Sequence, residues 1–127
     1  MECIREFSLD AAALPTPGAL ADMLAIDRLP ALCASISTAT PTGEGQGDLY
    51  CLWGAFSLRR DVLRNGVRFA LLECPHALAW TVTVDAARTL LIVHCSIDKS
   101  QPDPEFAESI EGFVADWADG LRRALAA

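Results

Sequence analysis

From Asp48 to Asp98 the chain reads as one continuous series of strands, with apolar and polar residues alternating strictly from Trp80 to Asp85. Such alternation places successive side chains on opposite faces of a pleated strand, and the breaks in it mark turns. Arg64-Asn65-Gly66 is the strongest break, because Asn and Gly accept the positive φ angles of a type I′ hairpin turn. Cys74-Pro75-His76-Ala77 and Asp85-Ala86-Ala87-Arg88 supply the next connections. Pairing outward from these turns sets Val67, Phe69 and Leu71 opposite Val84, Val82 and Trp80. It also sets Val82, Trp80 and Leu78 opposite Leu91, Val93 and Cys95. All of these residues land on one face, so the segment is expected to be an antiparallel meander with a single greasy side.

The flanks are simpler. Glu2 to Leu9 carries a short, imperfect strand alternation. Thr16-Pro17 has the form of an N-cap followed by proline at the first helical position, with Leu20, Met23, Leu24 and Asp27 at helical spacing. Pro30 interrupts that helix, and Ala31 to Ile36 is expected to form a second short helical piece. Residues 40–48 (Thr-Pro-Thr-Gly-Glu-Gly-Gln-Gly-Asp) are expected to be a flexible loop. Asp103-Pro104-Glu105 opens the last helix. In it Phe106, Ile110, Phe113, Val114, Trp117, Leu121 and Leu125 form one stripe, with acidic residues largely opposite.

The expected architecture is therefore α+β, one domain over residues 1–127, in the order β-α-β-β-β-β-α. A single four- to five-stranded antiparallel sheet is covered on one face by the long C-terminal helix. Phe106, Phe113 and Trp117 should pack on Phe69, Trp80, Val82 and Val93. This order of elements resembles helix-grip domains of the START type, or one half of the TATA-binding protein. The resemblance is one of topology over the whole chain, carried by no motif, and it implies no catalytic residues.

Composition narrows the functions. Although 52% of the residues are hydrophobic, the longest apolar run falls far short of the ~20 that a membrane span needs. The N-terminus lacks a basic region followed by an apolar one, so a soluble, cytoplasmic protein with no membrane partner is expected. A net charge of −7 repels phosphate backbones and argues against nucleic acid, while suiting a basic protein partner. Five cysteines, an odd number without regular spacing, do not make a disulfide framework; within apolar patterns they act as small hydrophobes.

Candidate chemistry sits in three places. The second face of the sheet carries Cys51, Trp53, Ala55, Arg68, Ala70, Thr81, Ile92 and His94, which is small and lightly polar rather than charged. Three covers are open for it: the N-terminal segment, a second copy of the chain, or a partner or ligand. Cys74, His76, His94 and Cys95 have metal-ligand chemistry, but alternation sends His94 and Cys95 to opposite faces and their spacing matches no zinc pattern, so no metal and no cofactor is assigned. Glu73 and Arg60 share the rim of the core face, either at a cleft mouth or as strand-end residues reaching into water. Gly43-Glu44-Gly45-Gln46-Gly47 precedes a strand rather than a helix and cannot cradle phosphate as a helix N-terminus does. No catalytic motif is present, and no catalytic residue is assigned.

Two functions follow. The first is a non-enzymatic interaction or accessory module, dimeric, using the second sheet face around Trp53. The alternative is a hydrophobic-ligand binder or enzyme of helix-grip type, with a pocket under the C-terminal helix lined by Arg60, Glu73, Trp80, Phe113 and Trp117. Core filling separates them. Phe69, Trp80, Phe113 and Trp117 supply ample volume to close the gap, which favours the first.

Overall fold

The long C-terminal helix α3 (Pro104–Ala126) forms as its sequence dictates. The Asp103 carboxylate accepts the Glu105 N–H at 3.0 Å, and Glu105 stands in the first turn, where the helix dipole favours a negative charge. The computed structural model of the chain describes residues 1–126. Before α3 come β1 (Glu2–Ser8), α1 (Pro17–Met23), a single 3₁₀ turn (Ile26–Arg28) and α2 (Leu29–Leu32). Six further strands follow: β2 (Ile36–Gly43), β3 (Gln46–Cys51), β4 (Gly54–Leu63), β5 (Gly66–Leu72), β6 (Ala79–Asp85) and β7 (Leu90–Ser96).

All seven strands form one antiparallel sheet in the order β1-β7-β6-β5-β4-β3-β2. The α+β class, the antiparallel sheet and the covering helix agree with the sequence reading. The strand count does not: there are seven strands, not four or five. The segment expected to be a flexible loop is a hairpin, with β2 and β3 meeting at Glu44-Gly45, where Gly45 takes a φ of +66°. Its Thr, Pro and Gly residues suit an edge strand, since β2 is mostly exposed, its register shifts at two points, and Pro41 lies at one of them. The strand expected to run through from Asp48 is also broken, by a turn at Leu52-Trp53 that pairs Cys51 with Gly54.

The meander is in place with two corrections. Neither Asn65 nor Gly66 adopts a positive φ, so the tight turn is not of type I′. Gly66 is needed instead for close approach, because a Cβ there would lie 2.0 Å from the Val82 carbonyl oxygen. The registers are displaced by two residues from those expected: Val67 faces Val82, Phe69 faces Trp80, Val82 faces Val93 and Trp80 faces Cys95. The cause lies in the connections. Leu71 N–H bonds to the Leu78 carbonyl at 3.0 Å, and Glu73 and Ala77 enter the left-handed region (φ 62° and 49°), which lengthens the β5–β6 loop. Thr89, at φ 51°, does the same after β6. A two-residue slip preserves parity, so the greasy face survives: Val67, Phe69, Leu71, Trp80, Val82, Val84, Leu91, Val93 and Cys95 are all buried.

Against that face α3 lays Ile110, Phe113, Val114, Trp117 and Leu121. The aromatic rings interlock, with Phe69–Trp80 centroids 5.2 Å apart, Trp80–Phe113 at 4.9 Å and Phe69–Trp117 at 6.3 Å. The Trp80 and Trp117 indole N–H groups are buried with no hydrogen-bond partner among the described residues. Each such orphan costs about 1–3 kcal/mol, which these side chains offset by burial. The short helices complete the same layer: Leu20, Leu24 and Leu29 are fully buried. Thr16 caps α1 through its hydroxyl, 3.1 Å from the Ala19 N–H. α2 crosses α3 so closely that a Cβ on Gly120 would sit 1.8 Å from the Leu32 carbonyl oxygen.

This layering overturns one cover offered for the second sheet face. The N-terminal segment does not fold over it; β1 extends the sheet edge beside β7, and α1 and α2 lie on the core side. Two substitutions test the packing by urea unfolding. Trp117→Ala should cost about 3–5 kcal/mol. Gly120→Ala should cost about 1–3 kcal/mol by prising α2 from α3; a loss below about 0.5 kcal/mol would contradict that contact.

Candidate functional site

Trp53 organises the end of the core next to the first turns of α3. It occupies the β3–β4 turn, and Gly54 behind it takes a φ of +115°, which swings the indole toward α3 rather than onto the second sheet face. Its Nε1–H donates to the Ser109 hydroxyl at 2.9 Å, and that hydroxyl in turn donates to the Phe106 carbonyl at 2.6 Å. The ring lies 4.9 Å from Phe113 and meets Phe106 edge-on at 6.0 Å. The His76 imidazole also packs on Phe106, at 4.7 Å.

Between these groups is a cavity of about 300 Å³, lined by Trp53, Phe56, Leu71, Cys74, Pro75, His76, Leu78 and Phe106. Three elements build it: the β3–β4 turn, the β5–β6 loop, and the first turns of α3. Its walls are chiefly aromatic and aliphatic. His76 and Cys74 are the polar side chains on its lining, and no charged side chain borders it. A larger hollow of about 500 Å³ lies over β2–β5, lined by Thr38, Thr40, Asp48, Tyr50, Ser57 and Glu73 among others. Most of its lining belongs to the solvent side of the sheet, so it is a shallow trough that would leave most of a ligand in water.

The pocket expected from sequence is redistributed. Trp80, Phe113 and Trp117 are at most 1% exposed and fill the space between helix and sheet. Arg60 is a structural cap: its Nε donates to the Leu24 carbonyl at 2.9 Å and its Nη2 to the Ala21 carbonyl at 2.6 Å, closing the C-terminal end of α1. Glu73 lies past the end of β5 and borders the outer trough. The two therefore do not meet.

The residues expected on the second sheet face are likewise divided. Ala55, Arg68, Ala70, Thr81, Ile92 and His94 share the uncovered face by register. Trp53 and Cys51 do not belong to it; Cys51 is buried on the core side, its thiol 3.6 Å from the Gly54 carbonyl. His94 pairs with Glu2 at 3.0 Å on that outer face, whereas His76 stands against α3. No three His, Cys, Asp or Glu side chains are placed to hold one metal ion among the described residues.

No family model matches the chain, and no curated protein matches it by sequence. Solved structures do. An uncharacterized protein from Bacillus thuringiensis superposes with a TM-score of 0.69 at 13% identity over 100% of both chains. A START superfamily protein from Mycobacterium smegmatis gives 0.65 at 14% identity, over 99% of this chain and 96% of that one. A Deinococcus radiodurans protein gives 0.60 at 12% identity, over 99% and 94%. The fold is thus a START-like helix grip. At these identities the likeness extends to the fold alone.

The thiols are sorted by the same packing. Burial pushes Cys33 and Cys95 up to about 12 from an ordinary value of 9.0, and also raises Cys51 and Cys3. A thiol whose folded value is raised stays neutral in the native state after its unfolded counterpart has ionised. It therefore contributes stability below about pH 9 that is progressively lost toward pH 12. Two outcomes are expected. With a disulfide reagent at pH 8, Cys33 and Cys95 should stay unmodified until the protein unfolds. Denaturation midpoints should fall above pH 9, and less steeply in a Cys33→Ala/Cys95→Ala variant; an equal slope would refute the assignment.

Proposed function

We propose that this chain is a binding protein for a small, neutral, apolar or aromatic ligand, held in the cavity at the mouth of the helix grip. The observation that carries this reading is the cavity of about 300 Å³ opening beside Trp53, Phe106 and His76 at the end of an otherwise filled core. Ligand sites are concave, largely apolar and provided with few polar groups, and this volume stands at the lower end of their usual range. It suits a one- or two-ring aromatic molecule or a short aliphatic chain, not a long lipid. The uncharged lining disfavours an ionic ligand, whose desolvation would go uncompensated. The Trp53 indole is already bonded to Ser109, so it offers a ring wall and no free donor. His76 and Cys74 are the side chains able to orient a ligand hydroxyl or amine. The lining carries no carboxylate, and the reading is binding rather than catalysis.

Titration with phenol, p-cresol, indole and hexanol, read by Trp fluorescence and calorimetry, tests it. At about 0.5–1 kcal/mol per heavy atom, inside the ligand-efficiency range, these ligands of about seven to nine heavy atoms should bind with Kd between about 1 mM and 1 μM. Cys74→Phe, at a half-buried lining position, should fill the cavity and weaken binding at least tenfold with the thermal midpoint little changed. Absence of binding by all four compounds at millimolar concentration, or undiminished binding by the filled variant, would refute the proposal.

A further inference from the structure

The uncovered sheet face is patterned to match itself. Register places Glu2, Ser96, Ala79, Ala70 and Arg59 in one row across β1, β7, β6, β5 and β4. The row starts with an acid, ends with a base, and has only small residues between. The neighbouring row runs Ile4, His94, Thr81, Arg68 and Asp61, with His94 3.0 Å from Glu2 and Asp61 3.2 Å from Arg59. Ile4 is 57% exposed, and Arg68 makes no ion pair among the described residues. Arg59 is held only by exposed Asp61 at 3.2 Å, a surface pair that contributes little and exchanges readily.

We propose that this face is the interface of a homodimer, with a two-fold axis running along β6. That axis stacks Ala79 and Thr81 on their own copies and lays Glu2 of each subunit over Arg59 of the other. Any two-fold contact is self-complementary, and here the order of charges along the row supplies the complementarity. A uniformly basic partner has no such match, because Arg59 and Arg68 stand on the β4–β5 side of the face. Small side chains at the centre let the two sheets approach closely. Five strands at ~4.8 Å spacing give a patch of roughly 500 Å² per subunit, below the standard ~800 Å², so the dimer should be weak and concentration-dependent.

Sedimentation equilibrium of the full chain from 1 to 500 μM, in low and moderate salt, is the test. The expected result is a reversible shift from 13.6 kDa toward twice that mass. Thr81→Arg should abolish the shift, and Arg59→Glu should weaken association at least tenfold. Glu2→Arg combined with Arg59→Glu should restore it to within threefold of wild type, while circular dichroism melts show all variants folded. A wild-type chain that stays monomeric throughout would mean that the face meets another molecule or only water, and would overturn the proposal. So would a dimer indifferent to Thr81→Arg, or one that the charge exchange fails to restore.

Discussion

Four rings hold this protein together. Phe69 and Trp80 on the sheet interlock with Phe113 and Trp117 on α3, all within 6.3 Å of a neighbouring centroid and all at most 1% exposed. Because α3 is the last element and the sheet spans most of the chain before it, this contact is long-range and closes the fold. It also sets the limits on function. Aromatic volume occupies the space between sheet and helix. A cavity of about 300 Å³ lies where the cluster ends, beside the first turns of α3.

What happens at that end depends on one turn. Had Leu52-Trp53 continued as strand, Trp53 would have pointed away from the helix and the mouth would have collapsed or flooded. With Gly54 at φ +115° the chain reverses, and the indole becomes a wall braced on Ser109 and on the rings of Phe106 and Phe113. A hydrogen bond and two ring contacts fix that wall in place. The loop opposite, with Glu73 and Ala77 in the left-handed region, is the less regular wall.

Strand parity and helix periodicity were legible because they are local and repeated. The core face of β5, β6 and β7 could be read from alternation alone, as could the stripe and start of α3. A slip of two residues leaves parity intact, so the face was right where the partners were wrong. Turns were harder, since φ signs belong to the assembled backbone. Asn65-Gly66 has the composition of a type I′ turn, yet Gly66 is there because Val82 lies against it. β2 was hidden because an edge strand needs no greasy face, and its Thr, Pro and Gly read as loop. Trp53 was misplaced because a Leu-Trp turn lacks the usual turn residues, and only Gly54 signalled it. Arg60 had the look of a site residue, and only the tertiary contact with α1 shows it to be a cap.

Aromatic packing closes the space between sheet and helix, and the cavity stands at its Trp53 end. The three indole N–H groups report directly on it, one at the mouth and two inside the cluster. A ¹H–¹⁵N correlation spectrum recorded during titration with p-cresol, followed by hydrogen exchange, tests it most directly. The Trp53 indole resonance should move on addition of p-cresol, while those of Trp80 and Trp117 stay in place and exchange slowly. Comparable shifts at Trp80 or Trp117, or rapid exchange of either, would mean that the space between sheet and helix admits small molecules and that the core is not closed.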